Sequence, residues 1–355
     1  MLARTGGFCL KFFFLGKVVS IFNVLSIGLL GLSSLTALAA PEAKKTLTVY
    51  TYSALTSEWG PGALLRAMFE KECNCELKYV AVDDGAALFK RIKLEGNKTK
   101  AEVALGFDSS IAADVVASKL FVDSEVTLPQ NLVAPVAESL RAQLVPFDYG
   151  WLAVMYDSQK IKMPPKDMDD LLSRPEFAKQ LLLEDPRTSA PGLAFLVWLD
   201  ELYASKLPEQ LQKLRKQTLT VSSGWTAAYG LFTKGEAPMV ISYTSSELYH
   251  RVVEKKERYK AALFPAHYAV TEFGAVVKAG NQKDLARKFL KFLLAPQSQK
   301  ILAEKNWMYP ALNVRAIPGL NDAFVNSVQP AKALTAKAEL ETQKRLVNVW
   351  LNAFR

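Results

Sequence analysis

Residues 46–85 read TLTVYTYSALTSEWGPGALLRAMFEKECNCELKYVAVDDG and contain the unit that decides the fold. Thr46–Ser53 is rich in β-branched and aromatic residues and predicts a strand, and Cys75–Val82 predicts a second one. Between them, the apolar residues of ALLRAMFEKE recur at helical spacing. A strand, a helix and a strand in succession predict a parallel sheet, and such sheets bind ligands outside the carboxyl ends of their strands. The sequence therefore predicts an α/β fold with a ligand site beyond these two strands.

The tripeptide Asp83-Asp84-Gly85 directly follows the second predicted strand. This position suits ligand binding at the edge of the sheet. It suits equally well a helix cap, in which Asp84 accepts hydrogen bonds from backbone N–H groups at the start of a helix predicted for AALFKRIKLEG. The local sequence leaves both interpretations open.

Further strands are predicted along the chain, and two of them indicate where it passes between lobes. Ala101–Phe107 and Leu181–Glu184 are short and apolar. Val145–Asp157 and His267–Lys278 are longer extended runs. We interpret the first of these long runs as the crossing to a second lobe and the other as the return.

Two helices are predicted towards the C-terminus. The apolar residues of Leu285–Leu294 recur at helical spacing, and Pro296 is expected to end this helix. A last helix is predicted from about Ala333 to Ala353. The two halves of the chain are interleaved in sequence, as expected for a two-lobed protein that its backbone crosses more than once.

Aromatic side chains are concentrated in residues 221–250, VSSGWTAAYGLFTKGEAPMVISYTSSELYH, which are predicted to form a short helix, a turn and a buried strand. The large aromatic and small hydroxyl residues of this segment are Trp225, Tyr229, Tyr243, Tyr249, Ser242, Thr244, Ser245 and Ser246. Any single aromatic could fill a core, but their joint location near strand ends and glycine turns favours the wall of a ligand pocket. Aromatic faces attract positive charge and a carboxylate adds a directional hydrogen bond, so the expected ligand is a flat organic cation.

The segment Asp185–Gly192, DPRTSAPG, leads into a helix predicted for LAFLVWLDELYA. Free N–H groups at the start of a helix bind anions as readily as they accept a capping hydroxyl. Ser189 can therefore cap this helix, bind a phosphate group of the ligand, or do both.

Residues 1–40 are expected to be a secretory signal peptide, because three basic residues are followed by an apolar run that ends in Ala37-Leu38-Ala39-Ala40. The alternative is an uncleaved membrane anchor over about Val18–Ala40. Cleavage would remove three basic residues and no acidic one, which lowers the formal net charge from +9 to +6. The remaining charge is spread along the chain without a basic, aromatic-rich run, so no nucleic-acid partner is expected.

Motifs for catalysis and metal binding are sparse. The sequence has two histidines, His250 and His267, and no zinc-like Cys/His spacing, so no metal site is expected and both histidines are interpreted as surface or hydrogen-bonded core residues. It contains no nucleophile elbow, P-loop or dinucleotide glycine motif, and no cofactor is expected. Cys73 and Cys75 could close a short disulfide or supply a nucleophile, and we favour a structural role.

From Leu47 almost to the C-terminus, the chain resembles the periplasmic thiamine-binding proteins of bacterial ABC importers. The matching segments are LTVYTYS, EWGPG, FEKECNCELK, VDDG, VPFDYG, EDPRTSAPGL, GWTAAYGLFTKGE, SYTSS with the following Tyr249-His250, and NWMYP. Several independent segments in the same order are more specific than one glycine motif. Val122–Ser139 and the region after Pro310 match less well.

The resemblance implies a two-lobed fold of the type II periplasmic-binding-protein class, with thiamine or one of its phosphate esters bound between the lobes. We expect lobe 1 to comprise residues 41–146 and 271–325, lobe 2 residues 147–270, and residues 326–355 to form a C-terminal helical segment. The protein is then expected in the periplasm, where it would deliver its ligand to an ABC transporter permease driven by a cytoplasmic ATPase.

The resemblance also implies which residues contact the ligand. Aromatic contacts to the pyrimidine and thiazolium rings are expected from Tyr52, Trp59, Trp225, Tyr249 and Trp307. Asp84 and Gly85 match the pair that meets the aminopyrimidine edge, which favours the functional interpretation of Asp84. The residues expected at the hydroxyethyl or phosphate end are Ser189, Tyr243, Thr244, Ser245 and Ser246.

Other functions compete with this one. A polyamine-binding protein would use aromatics too, but would need acids at both ends of its ligand, and the sequence clearly places only Asp84. A ferric-iron-binding protein would need paired tyrosines with histidine or carboxylate partners. A thiaminase-like enzyme would share the fold and attack thiamine with a cysteine.

Overall fold

A computed structural model of the chain describes residues 44–327, 333–335 and 342–355. The expected signal peptide, residues 1–40, lies outside the described residues and stays a prediction. Among the described helices, none is long and apolar enough to cross a lipid bilayer.

Helices and strands follow one another along the described chain and build one mixed sheet. The strands are β1 (Thr46–Tyr52), β2 (Glu76–Val82), β3 (Val103–Asp108), β4 (Phe121–Val122), β5 (Leu144–Asp157), β6 (Leu181–Glu184), β7 (Thr218–Ser222), β8 (Met239–Tyr243), β9 (Tyr259–Ala262), β10 (His267–Val277), β11 (Tyr309–Pro310) and β12 (Ala333–Thr335). The α-helices are α1 (Ser53–Thr56), α2 (Gly62–Cys73), α3 (Gly85–Glu95), α4 (Ala112–Ala117), α5 (Met168–Ser173), α6 (Ala190–Tyr203), α7 (Leu207–Gln217), α8 (Trp225–Lys234), α9 (Ser246–Val252), α10 (Lys283–Leu293), α11 (Pro296–Asn306), α12 (Asp322–Val325) and α13 (Thr342–Phe354). The main path through the sheet is β2-β1-β3-β10-β5-β8-β6-β7.

The predicted strand–helix–strand unit is confirmed. Strands β1 and β2 pair in parallel along their whole length, from Thr46 opposite Glu76 to Tyr52 opposite Val82. Strand β3 pairs in parallel with the other side of β1. The carboxyl ends of all three strands therefore meet at one edge of the sheet, where their loops can together form a binding site.

Strand β5 passes between two parts of the sheet. Its first half pairs antiparallel with β10 up to Trp151, and its second half pairs with β8 from Leu152 onwards. Strand β10 in turn lies between β5 and β3. The long runs predicted to cross between lobes are thus the two central strands. Placing the lobe boundaries at residues 146/147 and 270/271 remains our proposal.

Each part of the sheet has its own hydrophobic core. Around β1 and β3, helix α2 contributes Phe69, which packs edge-on against Phe289 of α10. Around β6 and β8, helix α6 is buried on almost every side and centres on Trp198. Burying such side chains contributes about 1.5–3 kcal/mol each, so both parts can hold their loops firmly at the edge of the sheet.

One sequence prediction of local structure is confirmed and another is wrong. Helix α10 ends at Leu293, before Pro296 as expected, and Pro296 also begins α11, because a proline at the first helical position has no N–H to leave unpaired. Ala333–Thr335 is a strand rather than the start of the last helix, since it pairs with β10, and α13 begins at Thr342. Helix α9 ends at Val252, and Tyr259 begins β9.

Cys73 and Cys75 form a disulfide with their Cα atoms 5.1 Å apart. Two cysteines in one extended strand would lie near the upper limit of about 6.8 Å for closure. Here Cys73 ends α2, and Asn74 adopts the left-handed conformation with φ of 49°, so the chain turns between the two sulfurs. The structural role expected for these cysteines is confirmed.

Candidate functional site

A cavity of about 640 Å³ lies at the carboxyl ends of β1, β2 and β3 and continues to the loops and helices that follow β7 and β8. Its lining includes side chains from both parts of the sheet. The polar and aromatic lining residues include Tyr52, Trp59, Asp84, Asp108, Ser223, Trp225, Tyr229, Tyr243, Ser246, Tyr249, Glu254, Glu272, Asn306 and Trp307, together with Gly85. A volume of this size suits a small organic ligand.

Asp84 caps α3 and also accepts hydrogen bonds from the start of α6. Its Oδ1 accepts hydrogen bonds from the backbone N–H of Ala86, at 3.4 Å, and of Ala190, at 2.8 Å, and Ser189 Oγ donates to its Oδ2 over 3.4 Å. Burial raises the pKa of Asp84, while the backbone hydrogen bonds oppose this rise. The capping interpretation is confirmed, and the carboxylate also lines the cavity.

Two glycines bring the backbone close enough for this arrangement. A Cβ on Gly85 would lie 2.1 Å from the carbonyl oxygen of Gly106. Gly106 itself has φ of +114°, and a Cβ there would meet the ring of Tyr52 at 2.3 Å. Only glycine fits either position, and the ring of Tyr52 packs against the backbone of β3 at Gly106.

We call Asp84, Asp108 and Glu272 the acidic wall of the cavity. Asp108 ends β3, and its carboxylate accepts hydrogen bonds from the backbone N–H and the hydroxyl of Ser110. Burial raises the pKa of Asp108 to about 7. Glu272 lies on β10 and accepts a 2.8 Å hydrogen bond from the hydroxyl of Tyr52. Burial and the nearby charge of Asp148 raise its pKa as well.

We call Trp225, Tyr229, Tyr249 and Trp307 the aromatic wall. Trp225 stacks on Tyr229 with ring centroids 4.8 Å apart, and its Nε1 donates to Ser242 Oγ over 2.9 Å. Tyr249 packs edge-on against Trp307 at 5.6 Å. Rings held in this way can present their faces to a ligand without further ordering, which lowers the entropic cost of binding.

The two histidines are hydrogen-bonded core residues, as expected. Burial lowers the pKa of His250, so its neutral ring donates from Nδ1 to Glu254 and accepts the hydroxyl of Tyr229 at Nε2, over 2.8 Å. His267 accepts from the backbone N–H of Phe264 and donates to Leu152 O. Within the described residues, no cluster of His, Cys, Asp and Glu has the geometry to hold a metal ion.

The structure brings most of the predicted site residues together around the cavity. Those that line it are Tyr52, Trp59, Asp84, Gly85, Trp225, Tyr243, Ser246, Tyr249 and Trp307. Ser189 and Thr244 lie behind it: Ser189 caps α6 by accepting from Gly192 N, and Thr244 Oγ1 lies 3.4 Å from the hydroxyl of Tyr309. Ser189 therefore supports Asp84 of the acidic wall, whereas the partner of Thr244 does not line the cavity.

The cavity residues that were not predicted from the sequence include Asp108, Glu272 and Asn306. Asn306 donates from Nδ2 to the hydroxyl of Tyr52 and to Asp148 Oδ2, over 2.9 and 2.8 Å. A usable signal was present for Glu272, since it is the acidic residue inside the otherwise apolar run His267–Val277. A carboxylate in a mostly apolar strand indicates that it has a polar partner or faces a site.

The family model for bacterial extracellular solute-binding proteins matches residues 48–300. The chain belongs to this family, and its two-lobed α/β fold is that of the type II periplasmic-binding class.

Several relatives of this chain are solute-binding proteins with a named ligand. The thiamine-binding periplasmic protein of Brucella suis biovar 1 (strain 1330) is 44% identical over 323 residues, which cover 88% of this chain and 93% of the relative. The thiamine-binding periplasmic protein of Escherichia coli (strain K12) is 40% identical over 314 residues, which cover 88% of this chain and 94% of that relative. A solved structure of a periplasmic thiamin binding protein matches with a TM-score of 0.83 and 39% identity, covering 88% of this chain and 97% of that one.

Proposed function

We propose that this protein is an extracytoplasmic solute-binding protein that captures thiamine, and its phosphate esters, in the periplasm and delivers it to an ABC transporter. The relatives at 40–44% identity support this proposal, because they are thiamine-binding periplasmic proteins matched over most of their length.

The observation that carries the proposal is the chemistry of the cavity lining. It contains the carboxylates of Asp83, Asp84, Asp108, Glu254 and Glu272 together with the aromatic wall, and no Lys, Arg or His side chain among the described lining residues. Such a lining attracts a flat cation through the ring faces, at about 0.5–2 kcal/mol for each contact, and through the acids. Thiamine, with its aminopyrimidine and positively charged thiazolium rings, has this chemistry.

The proposed contacts follow from this arrangement. Asp84 and Gly85 would meet the aminopyrimidine edge, and Tyr52, Trp59 and the aromatic wall would contact the rings. Tyr243 and Ser246 would lie near the hydroxyethyl or phosphate end, where the hydroxyls of Ser223 and Thr226 also line the cavity. Ser189 would act by positioning Asp84, to which it donates a hydrogen bond from behind the lining.

Delivery requires the bound form to differ from the free form. Thiamine would bridge the acidic and aromatic walls and so favour a state in which the lobes, which we divide at residues 146/147 and 270/271, are closed over it. The partner would then be a membrane permease that recognises the closed form and whose cytoplasmic ATPase drives release.

Calorimetric titration of the purified protein with thiamine tests the proposal, with thiamine monophosphate and pyrophosphate ranked in parallel. Saturable 1:1 binding of thiamine is expected, whereas tighter binding of spermidine or ferric ion would replace it with a rival function. A thiaminase would instead release the cleaved pyrimidine when thiamine is incubated with a nucleophile. In the described part of the chain, both cysteines are paired with each other and neither lines the cavity, so no cleavage is expected.

A further inference from the structure

Three carboxylates lie side by side across neighbouring strands at the floor of the cavity. Glu272 of β10 is in register with Asp108 of β3 on one side and with Asp148 of β5 on the other. Residues directly opposite each other on paired strands have Cα atoms about 4.5–5.5 Å apart. Among the three, Asp108 and Glu272 line the cavity, while Asp148 lies beneath them and is fully buried.

A chain of hydrogen bonds joins Glu272 and Asp148. Asn306 donates to Asp148 Oδ2 and to the hydroxyl of Tyr52, and that hydroxyl donates to Glu272 Oε2. Burial raises the pKa of Asp148 to about 7, and the hydrogen bond from Asn306 opposes this rise. Because Glu272 and Asp148 are cross-strand neighbours and a negative charge on one raises the pKa of the other, the two carboxyl groups titrate as a unit.

Within the described ranges of the chain, no Lys, Arg or His side chain is among the groups that affect the pKa of these three acids. The groups that face Glu272 are Tyr52 of β1, Asp108 of β3, Asp148 of β5, Tyr243 of β8 and, more distantly, Asp84 before α3. Glu272 is partly accessible because it faces the cavity, yet the surrounding protein and like charges favour its protonated form. A cation that enters the cavity would supply the positive charge that these acids lack.

We propose that Glu272 and Asp148 form a second anionic subsite, distinct from Asp84, that retains one shared proton in the free protein and releases it to solvent when an organic cation binds. This inference rests on the proposed function, since thiamine supplies the cation. Binding replaces the proton by the ligand charge, so the number of positive charges in the subsite is conserved. Glu272 is the member that faces the ligand, and Asp148, held by Asn306, is the member that shares the proton.

The subsite makes thiamine affinity depend on pH. Below the pKa of the pair, binding must expel a proton, and the association constant rises with pH by up to tenfold per unit. The rise ends once the free protein has already lost the shared proton. An affinity that stays constant from pH 6 to pH 8 would therefore overturn the proposal.

The direct measurement is calorimetry of thiamine binding at pH 7 in phosphate and in Tris, two buffers that differ in ionisation enthalpy. The difference between the observed heats gives the number of protons exchanged. For the unsubstituted protein we expect release of up to one proton per thiamine. Glu272→Gln keeps an acceptor for the Tyr52 hydroxyl but cannot share a proton, so its release should fall towards zero.

The affinity of the same variant gives a second readout. Glu272→Gln should bind thiamine about tenfold more weakly at pH 8, where it lacks a charge, and with a smaller loss at pH 6, where the proposed pair in the parent protein still retains its proton. Glu209→Gln, which removes an exposed carboxylate from α7, is the matched control and should change neither property. Circular dichroism and thermal melting establish that each variant is folded.

The outcomes separate this inference from the proposed function. Thiamine binding without buffer-dependent heat would overturn the subsite and leave the function intact. Proton release that persists in Glu272→Gln would place the proton on another acid, such as Asp108, and would also overturn it. A protein that binds no thiamine at all would overturn both.

Discussion

The acidic and aromatic walls face the same cavity but are built in different ways. Asp84 and Asp108 follow directly from strand ends and are held by backbone N–H groups. Trp225 and Tyr249 lie on helices α8 and α9 and are held mainly by other rings. Backbone hydrogen bonds fix position and direction, whereas ring contacts fix mainly distance.

This difference assigns the two walls different parts of recognition. A carboxylate with a fixed direction distinguishes a ligand that has an N–H group at the matching position from one that has none, as a site with buried polar groups does. The rings contribute contact area and attraction for positive charge to any flat cation. We therefore expect substitutions in the acidic wall to affect specificity and pH dependence, and those in the aromatic wall to affect affinity more evenly.

The largest loss is expected for Asp84→Asn. Asparagine keeps an oxygen acceptor for the backbone N–H of Ala190 but loses the charge that strengthens a hydrogen bond to an aminopyrimidine. Hydrogen bonds to charged groups contribute about 1.5–3 kcal/mol, so thiamine should bind roughly ten- to a hundredfold more weakly by calorimetry. Asp123→Asn, on an exposed loop, should bind thiamine normally, and equal losses in both variants would remove Asp84 from the site.

Trp225→Ala is expected to have the next largest effect. It removes the outer ring of the Trp225–Tyr229 stack and the hydrogen bond to Ser242. Loss of one stacking surface corresponds to about 1–2 kcal/mol, or roughly five- to thirtyfold in affinity. Trp225→Phe keeps an aromatic ring at this position and should retain most of the thiamine affinity.

Replacing Trp59 by alanine gives a comparison for the contribution of one aromatic ring to thiamine affinity. Trp59 is 48% exposed in the free protein, so Trp59→Ala should cost less affinity than Trp225→Ala. A reversed order would mean that the exposed ring, and not the stacked one, covers the ligand.

The sequence predicted the aromatic wall better than the acidic one. Trp225, Tyr229 and Tyr249 fall within one segment of thirty residues, so their clustering is visible without a structure. The acidic wall combines residues from positions 84, 108 and 272, which meet only because β10 returns between β3 and β5. Cross-strand register of this kind depends on the whole sheet and cannot be obtained from local periodicity.

Ser189 illustrates a different difficulty. Its sequence context correctly indicated a helix start, and the hydroxyl does cap α6. The local sequence could not indicate that α6 begins against Asp84, so that Ser189 and Ala190 donate hydrogen bonds to a carboxylate about a hundred positions earlier in the chain.

The walls should also differ in how stability depends on pH. Asp108 has a pKa of about 7 in the folded protein, against about 3.9 in an unfolded chain. The folded state thus binds more protons between these values, and the stabilisation is complete below pH 4 and lost as pH rises through 7. Between pH 6 and pH 7, this one group lowers the free energy of unfolding by about 1 kcal/mol.

Urea denaturation of the ligand-free protein at both pH values measures this contribution. Asp108→Asn should reduce the pH dependence by that amount, and Trp225→Phe should leave it unchanged. An unaltered slope in Asp108→Asn would show that Asp108 is ionised in the folded protein, and the contrast between the walls would then rest on geometry alone.

The smallest effect on binding is expected for Tyr229→Phe, which tests where the aromatic wall ends. Tyr229 lines the cavity but is only 8% exposed, and it packs with Phe232 and Tyr259 in a hydrophobic cluster. Its hydroxyl donates to His250 Nε2. The variant keeps the ring that supports Trp225, so thiamine affinity should change less than threefold, while the lost buried hydrogen bond lowers the free energy of unfolding by about 1 kcal/mol.

The two readouts separate a supporting ring from a ligand contact. If Tyr229→Phe weakens thiamine binding as much as Trp225→Ala does, the hydroxyl reaches the ligand and the aromatic wall supplies direction as well as area. If only stability changes, the function of Tyr229 is to hold Trp225 in place, and the outer ring is the surface that the cation meets. The second result would confine directional recognition to the acidic wall.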